Sequence, residues 1–138
     1  MAEGKWSHCI ITTHHHMTPP AREGYPDLHH ILGLTDSVIK GAFIVNCCWM
    51  LGDEKPGYMA AHAHPYDEVI GFIGTNPNDF SDLGGEMELW LDDERYVLNK
   101  SCIIWLPKKL KHCPLEVRAI KKPIFHFDIQ IADKVSFI

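Results

Sequence analysis

The stretch His62-Ala63-His64-Pro65-Tyr66-Asp67-Glu68-Val69-Ile70-Gly71-Phe72-Ile73 decides how this chain is read. Its second half, Glu68 to Ile73, is short and rich in β-branched and aromatic residues, which marks a strand. Its first half carries the chemistry. Successive side chains of an extended segment alternate faces, so His62 and His64 project from the same side. Glu68 follows beyond a Pro-Tyr break, in time to add a carboxylate. Two neutral imidazoles and a carboxylate suit a divalent first-row metal. His112, close behind Pro107, offers one more ligand.

Outward from this centre the chain reads as strand and turn. Tyr58 to His64 is expected to be a strand, preceded by the turn Gly52 to Gly57 and by the β-branched, aromatic run Val38 to Met50. Lys5 to Thr13 reads as an early strand, and His29 to Leu34 as a short helical turn or the approach to the next strand. His14-His15-His16 reads as exposed polar chain or tag residue rather than a second metal site, because three adjacent histidines cannot share one face of a strand. Beyond Ile73, Gly74 to Gly85 is a polar loop whose Asp and Asn residues lack the spacing of a calcium loop. Glu86 to Leu91 alternates, with Met87, Leu89 and Leu91 on one face; Arg95 to Leu98 continues the meander. Ser101 to Leu106 follows, ended by Pro107, and His112 to Ile120 leads into Ile124 to Ile131. There Phe125, Phe127, Ile129 and Ile131 oppose His126, Asp128 and Gln130; the polar stripe could line the cavity mouth and supply a general base, but the expectation is that the apolar set fills the core and the stripe faces water.

Roughly eight short strands with regular turns and no long helix predict an all-β barrel or sandwich. At 138 residues, with no internal repeat or linker, the expectation is one domain over 1–138: an N-terminal arm and first strand over 1–35, then a barrel core over 36–138. A composition of 46% hydrophobic and 22% charged residues is that of a globular chain and argues against disorder. The net charge of −5 argues against nucleic acid as a partner, so Lys108-Lys109-Lys111 and Lys121-Lys122 read as a solvated rim. The five cysteines are odd in number and contain no Cys-x-x-Cys; with no visible signal peptide, a reducing cytoplasm is expected. No apolar run approaches the ~20 residues of a membrane span, so no membrane partner is expected.

The arrangement resembles the cupin superfamily, small double-stranded β-helix or jelly-roll barrels. Its first motif is Gly-x5-His-x-His-x3,4-Glu-x6-Gly and its second Gly-x5-Pro-x-Gly-x2-His-x3-Asn. His62, His64 and Glu68 keep the first motif's spacing; Gly57 and Gly74 each lie one position closer than it asks. Pro107 and His112 keep the second motif's step, while Ser101, Lys109 and Glu116 replace its two glycines and its asparagine. Lys109 implies a different turn before His112, since a non-glycine residue tolerates positive φ poorly. The runs Phe72 to Pro77, Asp82 to Glu86, Trp105 to Lys108 and Lys111 to Leu115 look more narrowly like single-domain cupins of unassigned reaction.

The resemblance implies metal ligands at His62, His64, Glu68 and His112, holding one Fe, Mn, Ni, Co or Zn ion per chain. Three imidazoles and one carboxylate leave coordination positions open. Tyr66 and His126 are the candidate catalytic groups, Glu86 a candidate partner to the ligands or a brace for the Gly84-Gly85 turn. Trp49, Phe72, Trp90 and Trp105 are candidate cavity walls. Cys113 reads as structural, because on a strand it points away from His112. The function implied is oxygenase-, isomerase- or decarboxylase-type chemistry on a small polar molecule. The rival is a non-catalytic sensor or binding module using the same metal; a metal-free storage or scaffolding barrel leaves the ligand set to coincidence. Such proteins often form homodimers by exchanging N-terminal strands, which Trp6 to Thr13 would permit.

Overall fold

The computed structural model describes residues 4–13, 28–52 and 59–138. Eight strands follow in order: β1 (Leu28–Leu34), β2 (Ile44–Met50), β3 (Glu68–Ile73), β4 (Asp82–Leu91), β5 (Glu94–Lys100), β6 (Cys102–Leu106), β7 (His112–Arg118) and β8 (Ile124–Gln130). They form a five-stranded sheet in the order β1-β2-β8-β3-β6 and a three-stranded sheet in the order β5-β4-β7. All pairings are antiparallel. The inner faces of the two sheets pack on one another to make the core, as in a jelly roll.

The core draws on both sheets: Met50, Ile70, Phe72, Leu106 and Ile124 from one, Leu83, Met87, Leu89, Leu115 and Val117 from the other. Each such side chain contributes roughly 1.5–3 kcal/mol when fully buried. Met87 and Leu89 lie in the core as the alternation of β4 predicts, and Leu91 packs against it.

Three expectations about elements are corrected. Lys5 to Thr13 is not a strand: Ser7–Cys9 forms one 3-10 turn, with Ile10 N–H bonded to Ser7 O. Val38 belongs to a turn, and β2 begins only at Ile44, because Asp36 accepts the Gly41 amide and Gly41 takes a left-handed φ of 88°. His62 to His64 lies outside any strand and makes a single antiparallel bridge, His62 to His112. The bridge does not grow into a ladder toward Glu68, because Leu110 N–H turns to Pro107 O and Lys109 N–H takes His64 O instead. His29 to Leu34 is strand rather than helical turn. His14 to His16 and Gly52 to Tyr58 bear on the N-terminal histidine and turn expectations; all but Gly52 of these lie outside the described residues.

The polar stripe of β8 is also corrected. Cross-strand partners share a face, and His126 pairs with Cys48 and Phe72, Asp128 with Asn46 and Ile70, and Gln130 with Ile44 and Glu68. Cys48, Phe72, Ile70, Ile44 and Glu68 are all buried, so the stripe faces inward. Phe125, Phe127 and Ile129 lie on the outer face, with Trp49 packed edge-on against Phe125. That face also carries Trp105, 57% exposed, and Trp90 points away from the Met87–Leu89 core face. Of the four proposed cavity walls only Phe72 is inside.

Candidate metal centre

The site sits where β3 begins and β7 begins. The His62–His112 bridge, closed by two backbone hydrogen bonds of 3.0 and 2.8 Å, sets these imidazoles side by side with ring centroids 4.3 Å apart. His64 lies 4.8 Å from His62 and 5.3 Å from His112, centroid to centroid. Glu68, the first residue of β3, brings Oε1 to 3.1 Å from His112 Nε2 and 3.6 Å from His64 Nε2. His64, Glu68 and His112 are all buried.

Each imidazole is held the same way. Nδ1 of His62 lies 2.7 Å from Ala60 O, Nδ1 of His64 2.6 Å from Ser136 O, and Nδ1 of His112 2.9 Å from Leu110 O. A carbonyl oxygen only accepts, so Nδ1 carries the hydrogen and each neutral ring keeps its Nε2 lone pair free. Nε2 of His64 and His112 are turned to Glu68 Oε1, a buried oxygen with no hydrogen-bond donor of its own. Lone pairs facing one another at that range are repulsive until a cation stands between them. The donor set therefore fits a divalent metal, and carbonyl partners of this kind are what orient metal-binding histidines elsewhere.

The electrostatics agree. Burial works against a charge on His112, but the Glu68 carboxylate and the Leu110 carbonyl beside it raise its pKa above the ordinary value. Burial pushes Glu68 up, yet bonds with His112 and Asp128 outweigh it and leave its carboxyl below the usual range. Burial lowers the pKa of His62.

Behind Glu68 runs a chain of polar side chains. Asp128 faces Glu68, and burial together with that neighbour drives its carboxyl well above the usual carboxylate range. Gln130 Nε2 donates to Asp128 Oδ2 at 2.9 Å, and Tyr66 O–H donates to Gln130 Oε1 at 2.5 Å. The Tyr66 ring stacks on His64 at 4.9 Å, and burial raises its phenol pKa. Asp128, Gln130, Asn46, Thr35, Asp36 and Ser37 line part of a cavity of about 400 Å³ whose walls include none of His62, His64, Glu68 and His112. The Phe137 ring rests against His62 and His64 at 5.3 and 5.1 Å, and Ile138 N–H bonds to Ala63 O. Asp128 and the 135–138 segment are thus part of the site's surroundings, unmarked by any motif; only the period-two pattern of β8 pointed toward Asp128.

Other expected residues fall elsewhere. His126 stacks on Phe72 at 4.4 Å, its Nδ1 donates to Gly71 O, and burial depresses its pKa to about 4, so it is neutral but outside the histidine–carboxylate cluster. Glu86 pairs with Arg118 across the β4–β7 ladder, 2.8 Å from Nε, away from the histidine–carboxylate cluster. Lys109 corrects the expected change of turn. It takes the left-handed φ of 73° that a glycine would, and its N–H donates to His64 O at 2.8 Å. Cys113, expected to point away, is buried like His112, and its Sγ joins His62 and His112 in a group whose ligand atoms lie within 4.8 Å of one another. The cause is local: Cys113 has φ 75°, and the β4–β7 register slips between Leu89 and Leu91, so alternation fails there. A left-handed non-glycine costs roughly 1–2 kcal/mol. Burial pushes the Cys113 thiol up to about 12.

Asp128→Asn keeps the shape and can donate to Glu68 while removing a carboxyl that burial penalises. An acid with a raised folded pKa loses stability as pH climbs from its unfolded value toward the folded one. The metal-free variant is expected to be about 1–3 kcal/mol more stable than the parent at pH 7. Below the ordinary aspartate pKa the gain should vanish. Urea midpoints at pH 7 and near pH 3.5 check both signs.

The chain matches no family model and none of the curated proteins. Among solved structures it is similar to a recombinant oxalate oxidase in complex with glycolate (13% identity, TM-score 0.52), covering 93% of this chain and 60% of that one. An RmlC-like cupin from Shewanella frigidimarina gives 16% identity and a TM-score of 0.50, over 88% of this chain and 95% of the other. The structure of FeII HppE gives 12% identity and 0.51, over 83% and 55%. This chain thus spans little more than half of the oxidase and HppE chains. The fold is that of the cupins, a double-stranded jelly roll with a histidine–carboxylate group able to bind metal. Among the described residues no helix is long and apolar enough to cross a membrane.

Proposed function

We propose that the chain is a single-domain metal-binding cupin in which His62, His64, Glu68 and His112 hold one divalent transition metal. The observation that carries this reading is the common tautomer of the three histidines, each tied through Nδ1 to a backbone carbonyl. The metal would supply Lewis-acid or redox chemistry to a small polar molecule bound beside it. The chain's own residues do the rest. The cavity of about 400 Å³ falls in the range of small-molecule sites, and its amides, hydroxyls and carboxylates suit a hydrogen-bonding ligand. Asp128 holds a proton toward Glu68, and Tyr66, through Gln130, keeps that carboxyl in place. Phe137 shields His62 and His64 from water. Oxygenation, isomerisation and decarboxylation all fit this arrangement, and the metal's identity separates them.

The test is elemental analysis of untagged, chelator-free protein beside a His62→Ala/His112→Ala variant. One transition metal per chain in the parent, lost in the variant, is expected. Iron would direct oxygen-uptake assays; manganese, nickel or zinc would direct isomerase and lyase screens. Equal metal in both proteins, or none in either, would sink the four-ligand site.

A further inference from the structure

We propose that Cys113 is a fifth protein ligand of the same ion, its Sγ closing the coordination on the side of His62 and His112. The proposal rests on the metal reading above and goes beyond the His/Glu set. Two overlapping groups of donors meet at His112: His64, Glu68 and His112 form one, His62, His112 and Cys113 the other. Within each, the ligand atoms lie within 4.8 Å of one another. Donors sharing one ion at ~2.0–2.3 Å stand at most about 4.3 Å apart, so a small closure suffices within each group, and a single ion at His112 requires His62 and Cys113 to close toward His64 and Glu68 as well. Glu68 Oε1, buried and without a hydrogen-bond partner, stands 3.1 Å from Nε2 of His112, the residue common to both groups.

The backbone adds an independent reason. Regular alternation in β7 would have sent Cys113 to the face opposite His112; instead its left-handed φ of 75° puts both adjacent side chains inside. Unfavourable backbone conformations of this kind persist where the surroundings impose them and gather at functional sites. On binding, the S–H proton leaves to solvent as the sulfur–metal bond forms, and the metal keeps its oxidation state. A thiolate is a soft donor, so Cys113 favours zinc, cobalt or nickel over manganese in a site whose other ligands would serve all four.

Cobalt(II) is the probe. The loaded parent is expected to show visible d–d bands together with a near-ultraviolet thiolate-to-cobalt charge-transfer band. Cys113→Ser should remove the latter, keep the former, and weaken cobalt binding by at least about 10-fold while changing manganese binding little. Zinc-loaded parent, examined by X-ray absorption, should show one sulfur neighbour at ~2.3 Å; this measurement needs no variant and stands even if Cys113→Ser fails to fold. Visible bands without charge transfer, a charge-transfer band that survives in Cys113→Ser, or zinc with only nitrogen and oxygen neighbours would overturn the Cys113 assignment and leave the His/Glu site standing. Failure of the parent to take up cobalt or zinc at all would overturn both.

Discussion

Replacing His112 by alanine is expected to weaken metal binding by more than ~100-fold, beyond what loss of an outer partner of a ligand costs. His112 is the residue on which the site turns. It is buried, its Nε2 stands 3.1 Å from Glu68 Oε1, and it belongs to both donor groups. Its backbone bonds to His62 do not depend on the side chain, so the strand pairing survives the change. Two measurements check the result. Chelator competition reads the affinity directly. Thermal or urea unfolding with and without metal reads the linkage: at a metal concentration 100 times the parent's Kd the ion stabilises by about 2.7 kcal/mol, and a site 100-fold weaker keeps only about 0.4 kcal/mol at that concentration. A His112→Ala protein that binds and is stabilised as the parent is would remove His112 from the ligand set.

Gly74→Ala is expected to be among the most damaging single changes to the fold. A Cβ built at Gly74 would lie 1.8 Å from Asp82 O, 2.8 Å from Asp82 C and 2.9 Å from Leu83 Cα. All three are backbone atoms, and Leu83 is fully buried in the core, so nothing nearby can turn aside. Ordinary overpacking costs about 1–3 kcal/mol, and here the cost should exceed ~3 kcal/mol because the exit of β3 must separate from the entry of β4. For a chain of this size that corresponds to a fall in Tm of roughly 10 °C. Gly71→Ala is the comparison. Its Cβ would meet the Phe127 ring at 2.1 Å, but that ring lies on the half-exposed outer face and can rotate away. Calorimetry should rank Gly74→Ala well below Gly71→Ala in stability; the reverse order would refute this account of the close approach.

Gly74 also shows how a motif residue becomes physical. The resemblance marks it as a glycine one position out of register, with no reason attached. The structure supplies the reason in the contact with Asp82 and in the Gly74 N–H bond to Ser101 Oγ at 2.9 Å. Ser101 itself stands where the second motif has glycine, and its hydroxyl also donates to Phe80 O at 2.6 Å. Lys109 makes the opposite point. The sequence implies an altered turn, but the hydrogen bond to His64 O holds a lysine in the glycine conformation.

What was determined by sequence alone is what local pattern controls. The β-branched and alternating runs at Glu68 to Ile73 and Ile124 to Ile131 became strands with nearly those bounds, because burial of alternate side chains admits no other repeat. The spacing of His62, His64 and Glu68, with His112 behind Pro107, was enough to nominate a metal centre. Tertiary structure alone decided which way each alternating strand turned. Period two says that His126, Asp128 and Gln130 share a face; only pairing with Phe72, Ile70 and Glu68 makes it the inner one. It also decided that His62 reaches the site through one bridge, that the carbonyls of Ala60, Leu110 and distant Ser136 set the three imidazoles, and that Cys113 turns inward. These depend on contacts between segments far apart in the chain and on a single left-handed residue, neither of which leaves a periodic trace in the sequence.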